Sequence, residues 1–417
     1  MLFVSPMDLQ SVRFTSPRSN MNKATQQQTK EHNRNLALKT IIEHDRISRA
    51  EIARKTGLTR TTVSDIVAEL IAVGLVREIG IGESSGGKSP ILLSLMEDSR
   101  CLIGLDLAQI QFSGAIVNLR GKVKKIISRP VSENTGDQAL ELVYAVLDQL
   151  VQSASPPVVG IGVGTPGLVN THEGVVVQAV NLDWQALPLA QLLQDRYNLP
   201  VSLLNDSQAA AIGEYTYGQG HTSEGNLIVI SARHGIGAGI VINGRLFHGD
   251  GGYAGEIGHI VVVPENGLLC RCGNCGCLET VASAQALVRQ AQHLGLPAGA
   301  GMAQISTLDD IAQAFIAGDP PVQQAVFEAG RYLGRAISGL IETLNIRKII
   351  LTGDMTRFGE PWLKVINETV SQTALARLAA DTQVEIGCLG ENAVILGASA
   401  LLVNDYSLLF KQQSVRS

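Results

Sequence analysis

Residues Ala50 to Ser64 read A-E-I-A-R-K-T-G-L-T-R-T-T-V-S, and this stretch decides the fold of the N-terminal part of the chain. Ser48, with Glu51 three residues later, is the capping-box pattern that begins a helix. Gly57 ends that helix, and the turn Gly57-Leu58-Thr59 leads into another helix of about Arg60 to Val73. Two helices joined by so short a turn predict a helix-turn-helix.

The residues on either side of this stretch complete a small domain. Before it, from His32, apolar residues at helical spacing predict a first helix; they are Leu36, Leu38, Ile41 and Ile42. After it, the apolar runs Leu75 to Ile79 and Ile91 to Leu95 predict a two-stranded hairpin. Three helices and a hairpin are a winged helix-turn-helix, although a small helical bundle that binds protein would share much of this pattern.

The helix after the turn is the one expected to enter the major groove of double-stranded DNA. The candidate DNA-contacting residues are Thr59, Arg60, Thr61, Thr62 and Ser64, with Lys88 at the tip of the wing. Residues 20–64 carry nine basic and four acidic side chains, whereas residues 100–417 carry 20 and 27. A basic segment on an acidic body favours a polyanion partner for one end of the chain, although a solvated charged face would give the same count.

Composition sets the broad class of the protein. The 417 residues are 45% hydrophobic and 17% charged, which excludes a fully disordered, collagen-like or coiled-coil chain. Apolar runs are broken before they reach the ~18 residues of a membrane-spanning helix, and the opening MLFVSPMDLQ lacks the pattern of a secretion signal. We therefore expect a cytoplasmic protein without a membrane partner. Residues 1–30, polar and without periodicity, predict a flexible lead-in.

The rest of the chain contains an internal repeat at an offset of 125 residues. Ile103 to Asp106 aligns with Ile228 to Ser231, and Ser113 to Asn118 aligns with Ala238 to Asn243. Each copy is an apolar strand, a turn and a second strand, and βα units follow. The repeat predicts two similar α/β lobes with a cleft between them, and such clefts commonly bind ligands.

Several motifs in this body resemble the ROK family of sugar kinases and repressors over about residues 30–403. They are Gly235-Ile236-Gly237-Ala238-Gly239-Ile240, Gly244-Arg245, Gly255-Glu256-Ile257-Gly258-His259 and the run from Cys270 to Glu279. The repressor branch of that family also carries an N-terminal winged helix. The resemblance implies an α/β fold in which a winged helix-turn-helix (31–98) precedes a two-lobe actin-like, ribonuclease H-like body (99–417). Lobe one would be about 99–225 with the C-terminal helix at about 391–403, and lobe two about 226–390.

The resemblance also implies a sugar in the cleft, bound by short polar side chains. The matching residues are Asn181, Asn205, Asp206, Glu256, His259 and Glu279. Carboxylates and amides suit sugar hydroxyls because a hydroxyl both donates and accepts hydrogen bonds. In the kinases, the aspartate that matches Asp206 takes the proton from the attacking hydroxyl. Without the resemblance, Asn205 and Asp206 would more readily be explained as a turn and helix cap.

Four cysteines crowd into eight residues, a spacing that suits a metal better than disulfides. One imidazole and three thiolates, from His259, Cys270, Cys272 and Cys277, would make a closed structural zinc site with no open position for water. A disulfide is the alternative, which a reducing cytosol disfavours. Cys275 is additional to the family pattern and is interpreted as a bystander.

Three departures from the family concern the nucleotide. The first phosphate loop of the kinases has the form D-x-G-x-T, whereas this chain has Asp106-Leu107-Ala108-Gln109-Ile110. The second, usually G-T-G, reads Arg233-His234-Gly235, and the usually glycine-rich turn on the adenosine side reads Thr352-Gly353-Asp354. Bulk and negative charge replace the backbone amides and small donors that bind phosphate, which argues against the use of ATP.

The sequence thus predicts a sugar-responsive repressor that binds an inverted-repeat DNA operator as a homodimer or homotetramer. Its body would contain structural zinc, bind a sugar effector and catalyse nothing. An ATP-dependent sugar kinase with an added DNA-binding domain is the first alternative, with Asp206 as the base. A sensor body that binds a protein partner is the second. The identity of the sugar, free or phosphorylated, stays open at this point.

Overall fold

The structure, a computed structural model, describes residues 26–83, 89–131, 134–293, 305–404 and 406–410. The lead-in expected for residues 1–30 falls mostly outside these ranges, and so does Lys88. Residues 26–30 are described, and they are helical. The first helix therefore begins six residues before His32, where the apolar periodicity starts, because a helix can extend into polar sequence on an exposed side.

The winged helix contains three helices and one small sheet. Its elements are α1 (Gln26–Ile42), β1 (Ile47–Ser48), α2 (Arg49–Thr56), α3 (Arg60–Ala72), β2 (Val76–Ile81) and β3 (Ile91–Leu95). The predicted capping box is present, since Ser48 accepts from the Glu51 amide and the Glu51 carboxylate accepts from the Ser48 amide. Gly57 takes the left-handed conformation, φ +72°, that ends α2.

One prediction for this domain was incomplete, since the hairpin of β2 and β3 gains a third strand. β1 pairs antiparallel with β3, so the sheet order is β1-β3-β2. Two residues are too few to give a periodic signal, so the sequence does not predict β1. The side chains that α3 contributes to the domain core are Val63, Ile66, Val67 and Leu70.

Strands of the body form two five-stranded sheets and one three-stranded sheet within the described ranges. In chain order they are β4 (Cys101–Leu107), β5 (Gln111–Asn118), β6 (Val123–Pro130), β7 (Val158–Thr165), β8 (Leu168–Asn170), β9 (Val175–Ala179), β10 (Trp184–Leu187), β11 (Val201–Asn205), β12 (Leu227–Ala232), β13 (Ile236–Ile242), β14 (Arg245–Leu246), β15 (Lys348–Thr352) and β16 (Gln383–Ile386). The first large sheet has the order β11-β7-β4-β5-β6 and the second β16-β15-β12-β13-β14. In both sheets the first three strands of this order run parallel, and each of the last two is antiparallel to the strand before it. The same topology therefore occurs twice.

Helices cover the two large sheets. They are α4 (Gly136–Ser153), α5 (Leu189–Tyr197), α6 (Asp206–Thr216), α7 (Glu279–Ala282), α8 (Ala284–His293), α9 (Leu308–Ile316), α10 (Pro320–Leu344), α11 (Gly359–Thr373), α12 (Ala376–Asp381), α13 (Ala393–Asn404) and α14 (Tyr406–Leu409). The duplicated βα topology with helices on the sheet faces is the two-lobe α/β fold that the repeat predicts.

Helix α13 packs between α6 and strands β4 and β7 of the first sheet. Glycines allow very close approach on both sides. A Cβ on Gly397 would lie 1.7 Å from the Ala209 carbonyl oxygen of α6, and one on Gly162 would lie 2.0 Å from the Ala398 oxygen. Backbone therefore meets backbone along the helix, and a side chain at either glycine would clash with its neighbour.

The core of the winged helix is continuous with the body. Leu102, Val159, Leu402 and Val403 of the body and α13 are buried in the same cluster as Leu38 of α1. Among the described residues, no helix combines the length and the apolar character needed to cross a membrane.

Candidate functional site

Four side chains with metal-ligating atoms meet at the start of the Cys-rich loop. His259 ends a 3-10 turn (Ile257–His259), and Cys270, Cys272 and Cys277 come from the loop that follows. Their ligand atoms all lie within 4.8 Å of one another. Cys275 is exposed and is not part of this set. The sequence predicts these same four residues as zinc ligands.

The donor set fits a tetrahedral ion. With Zn–S bonds of about 2.3 Å, two ligands of a tetrahedral zinc lie roughly 3.8 Å apart, and slightly less when one ligand is nitrogen. The Sγ atoms of Cys272 and Cys277 are 3.6 Å apart, and Cys270 Sγ lies 3.5 Å from His259 Nδ1. Donor type, number and spacing thus suit a structural zinc held by protein atoms alone.

Carboxylates converge on the cleft beside this cluster. Asp206 begins α6, and its Oδ1 accepts from the Ser207 amide at 2.7 Å. Burial raises the pKa of Asp206 to about 6, although Arg233 opposes the rise. Burial also raises the pKa of Glu256 to about 7, with contributions from Asp206 and Glu279. The cleft therefore brings together acidic groups at some electrostatic cost, as binding and catalytic sites commonly do.

Glu279 connects the Cys-rich loop to the second sheet. Its Oε2 accepts from the Ile236 amide at 3.2 Å, and its Oε1 accepts from Arg271 at 3.1 Å. Arg271 also donates to Asn181, and Asn181 donates to Gln109 at 2.9 Å. A chain of polar contacts thus links the Cys-rich loop with the first lobe across the cleft.

Asn205 is placed differently from the other predicted sugar residues, because its side chain is already engaged. Its Oδ1 caps α6 by accepting from the amides of Ser207 and Gln208, at 2.9 and 3.4 Å. Its Nδ2 donates to the Gly167 carbonyl at 3.0 Å. In this conformation Asn205 is a helix cap that positions Asp206.

The nucleotide end of the cleft contains an ion pair that the sequence did not predict. Arg233 follows β12 of the second sheet, and Asp106 lies near the end of β4 in the first. The guanidinium meets the carboxylate in a two-pronged arrangement, with N–O distances of 3.0 and 2.7 Å. Arg233 is therefore more than a bulky replacement in a phosphate loop, since it binds the acidic residue of the opposite loop.

A cavity of about 160 Å³ opens beside this pair. Both arginine and carboxylate side chains line it, among them Arg233, Asp354 and Glu391, and so do Ala393 and Val394 at the start of α13. Burial raises the pKa of Asp354, although Arg233 opposes the rise. Asp354 thus lines the same cavity as Arg233.

The predicted DNA-contacting residues lie at the start of α3. Arg60, Thr61 and Ser64 are exposed. Thr59 Oγ1 caps the helix by accepting from the Thr62 amide at 3.2 Å, and it lies 2.9 Å from Thr62 Oγ1. Thr59 and Thr62 are therefore partly used within the helix, although Thr59 is exposed as well.

Sequence reasoning missed Arg271 and Gln109 as cleft residues. Arg271 lies between two predicted metal ligands, and Gln109 lies in the altered first phosphate loop, so neither position indicates a contact across the cleft. Neither contact has a local signal, because the partners Asn181 and Gln109 are 72 residues apart in the chain.

Comparison with family models gives two matches. Residues 102–405 match the ROK family, and residues 32–77 match a winged helix-turn-helix DNA-binding domain. The two matches divide the chain where the winged helix meets the body.

Individual relatives agree with this division. The xylose repressor of Caldicellulosiruptor bescii is 33% identical over 389 residues, which cover 90% of this chain and 96% of that protein. The crystal structure of a ROK family transcriptional regulator, a homologue of the E. coli MLC protein, is 28% identical with a TM-score of 0.78 and covers 91% and 98% of the two chains. A ROK family glucokinase from Streptomyces griseus, in complex with glucose and AMPPNP, is 30% identical with a TM-score of 0.66 and covers 72% and 98%.

Proposed function

The chain belongs to the ROK family, and from that membership we propose that it is a sugar-responsive transcriptional repressor that binds DNA and catalyses no phosphoryl transfer. The observation that carries the proposal is a winged helix joined by a continuous core to a two-lobe body with a polar cleft. The similar xylose repressor covers 90% of this chain, whereas the similar glucokinase covers 72%.

The cleft supports a sugar as the effector. Asp206, Glu256 and Glu279 supply acceptors for hydroxyl groups, and Asn181 with Arg271 supplies both donors and acceptors on the facing wall. The metal centre at His259 would act structurally, by fixing the loop that carries Glu279 against the second sheet. No water or substrate position is left on a metal with four protein ligands, so its chemistry there is to hold the loop.

A continuous packed path runs from the cleft to the DNA-binding domain. Asp206 begins α6, α6 packs backbone-to-backbone on α13 through Gly397, and α13 ends with Leu402 and Val403 in the winged-helix core. A sugar that moves α6 must therefore move α13 and the winged helix with it, because the contact has no slack. This is a physical route by which sugar binding can change operator affinity.

The winged helix is also tied to the body at a second point. Arg120, in the turn between β5 and β6, donates to the Ile42 and His44 carbonyl oxygens at 3.0 and 3.2 Å. These oxygens lie at and just beyond the end of α1. Helix α3, the helix expected to contact DNA, therefore moves with lobe one as a unit. A lobe rotation would then change the distance between the two winged helices of a dimer.

Three features support the absence of catalysis. Asp106, the acidic residue of the first phosphate loop, is paired with Arg233. Asp354 places a carboxylate on the adenosine-side turn, and Arg233 and His234 replace the small residues of the second phosphate loop. Phosphate groups are bound by backbone amides and small donors, which these side chains displace.

We expect the purified chain to bind a sugar without phosphorylating it. In a thermal-shift panel, a sugar that binds should raise the free energy of unfolding of the chain by about 2.7 kcal/mol when its concentration is 100 times its dissociation constant. The same preparation, given Mg-ATP and the bound sugar, should consume no ATP above a control without sugar. ATP-dependent phosphorylation that the Asp206→Asn variant abolishes would contradict the proposal and favour the kinase alternative.

A further inference from the structure

The pair of Arg233 and Asp106 is built into the fold and is not a surface contact. The Asp106 side chain is 4% exposed and that of Arg233 17%. The backbone around Arg233 is fixed as well, because its amide donates to the Gly235 carbonyl and its carbonyl accepts from the Ala284 amide. The guanidinium therefore has a defined place between the two large sheets.

Gly353 gives the Arg233 side chain room to reach Asp106. Gly353 has a φ of +94°, and a Cβ there would lie 2.5 Å from Arg233 Cγ. Any other residue at this position would therefore both strain the backbone and push the arginine away. The turn at Gly353 therefore leaves space for the aliphatic part of the Arg233 side chain.

More negative than positive charge surrounds this pair. Asp206 and Asp354 also interact electrostatically with Arg233, so one guanidinium faces three carboxylates. At the other end of the cleft, Arg271 is paired with Glu279 and bonded to Asn181. Arg357 lines the cavity beside Arg233 and is paired with Asp309. Arg233, Arg271 and Arg357 are thus each already bonded to a protein carboxylate.

A phosphate group beside Arg233 would meet the carboxylates of Asp106, Asp206 and Asp354. To bind the phosphate, Arg233 would have to leave Asp106, whose side chain is 4% exposed. That carboxylate would then be buried and unpaired, which is strongly unfavourable. Neutral hydroxyl groups carry no such penalty, because they can donate to the carboxylates.

We propose that Arg233, held by Asp106, is a specificity-determining residue that restricts the cleft to uncharged sugars and rejects their phosphate esters. The inference rests on the proposed function, since it presumes that the cleft binds a sugar. The effector class is then limited to neutral sugars, because the Arg233 guanidinium occupies the part of the cleft where a phosphate group would bind.

The test is isothermal titration of the full chain, purified with its metal, against matched pairs of ligands. The probes are D-glucose and N-acetyl-D-glucosamine, each beside its 6-phosphate ester, and D-xylose beside its 1-phosphate ester. A phosphate on the terminal carbon of xylose would prevent formation of the pyranose ring, so that ester is not used. We expect at least one neutral sugar to bind, with an affinity at least tenfold higher than that of its ester. An ester that binds as tightly as its parent sugar, or more tightly, would overturn the inference while leaving the sugar-responsive function standing.

Two variants test the role of the ion pair itself. Asp106→Asn removes one carboxylate and frees Arg233, so the preference for the neutral sugar should fall at least fivefold. Asp354→Asn leaves the ion pair intact and should cause a smaller fall in the same direction, which keeps the test usable if Asp106→Asn does not fold. Asp381→Asn, which removes an exposed carboxylate paired with Arg377 on α12, is the matched control and should leave the preference unchanged.

The remaining outcomes also decide the question. An unchanged preference in both Asp106→Asn and Asp354→Asn would overturn the assignment to Arg233. Binding of no sugar and no ester by a correctly folded wild-type chain would overturn the proposed function itself, and this inference with it.

Discussion

Replacing Cys272 with Ser is expected to lower the zinc affinity of the chain by more than 100-fold, because changes outside the ligand shell alone already cost about 10–100-fold. The thiolate is one of four ligands in a closed site, and a hydroxyl does not replace it. Zinc content measured by elemental analysis after dialysis against a chelator should fall from one ion per chain to near zero.

Cys275→Ser provides the matched control, since Cys275 is a thiol in the same loop outside the ligand set. That variant should retain its zinc. Equal loss of zinc in the two variants, or no zinc in reduced wild-type protein, would contradict the ligand assignment.

Loss of the ion should also loosen the loop between Glu256 and Glu279, because the metal-binding free energy contributes to folding of the loop. Hydrogen exchange should rise in that segment first. Sugar binding should weaken with it, since Glu279 would no longer be held against the Ile236 amide.

The second large effect is expected at the start of α3. Arg60→Ala and Thr61→Ala should each weaken binding to a specific operator by about 5- to 150-fold, the equivalent of about 1–3 kcal/mol for a base contact. Binding to random DNA should fall less, because it depends on phosphate contacts and not on base edges. Fluorescence anisotropy with both duplexes at fixed salt measures the two losses.

The operator for this experiment can be selected from a random duplex library by the chain itself. If the chain assembles as a dimer, the selected site should be an inverted repeat with half-sites one or two helical turns apart. Arg245→Ala removes an exposed arginine from the second lobe and should leave both affinities unchanged. Equal losses on specific and random DNA for Arg60→Ala would show that α3 does not read bases.

Much of the winged helix could be predicted because its signals are local. The Ser48 and Glu51 capping box, Gly57 and the buried face of α3 all lie within a few residues of the elements they define. The metal ligands were predictable for a similar reason, since three of the four are close together in the chain. Strand β1 was missed because two residues give no periodicity.

Contacts between distant segments could not be predicted in this way. Arg233 and Asp106 are 127 residues apart, and nothing near either residue indicates the other. The sequence therefore shows that Arg233 replaces a small residue of the second phosphate loop, but it does not show that Arg233 forms an ion pair. In the same way, the bond from Asn205 Nδ2 depends on the position of Gly167, which only the folded chain defines.

The coupling of sugar to DNA is the central claim, and titration of the operator duplex with and without saturating sugar tests it most directly. A coupling free energy of about 1–3 kcal/mol predicts a 5- to 150-fold change in operator affinity. Asp206→Asn should reduce both sugar binding and that change, while its operator affinity without sugar stays near the wild-type value. An operator affinity that stays the same when thermal shift confirms bound sugar would contradict the claim.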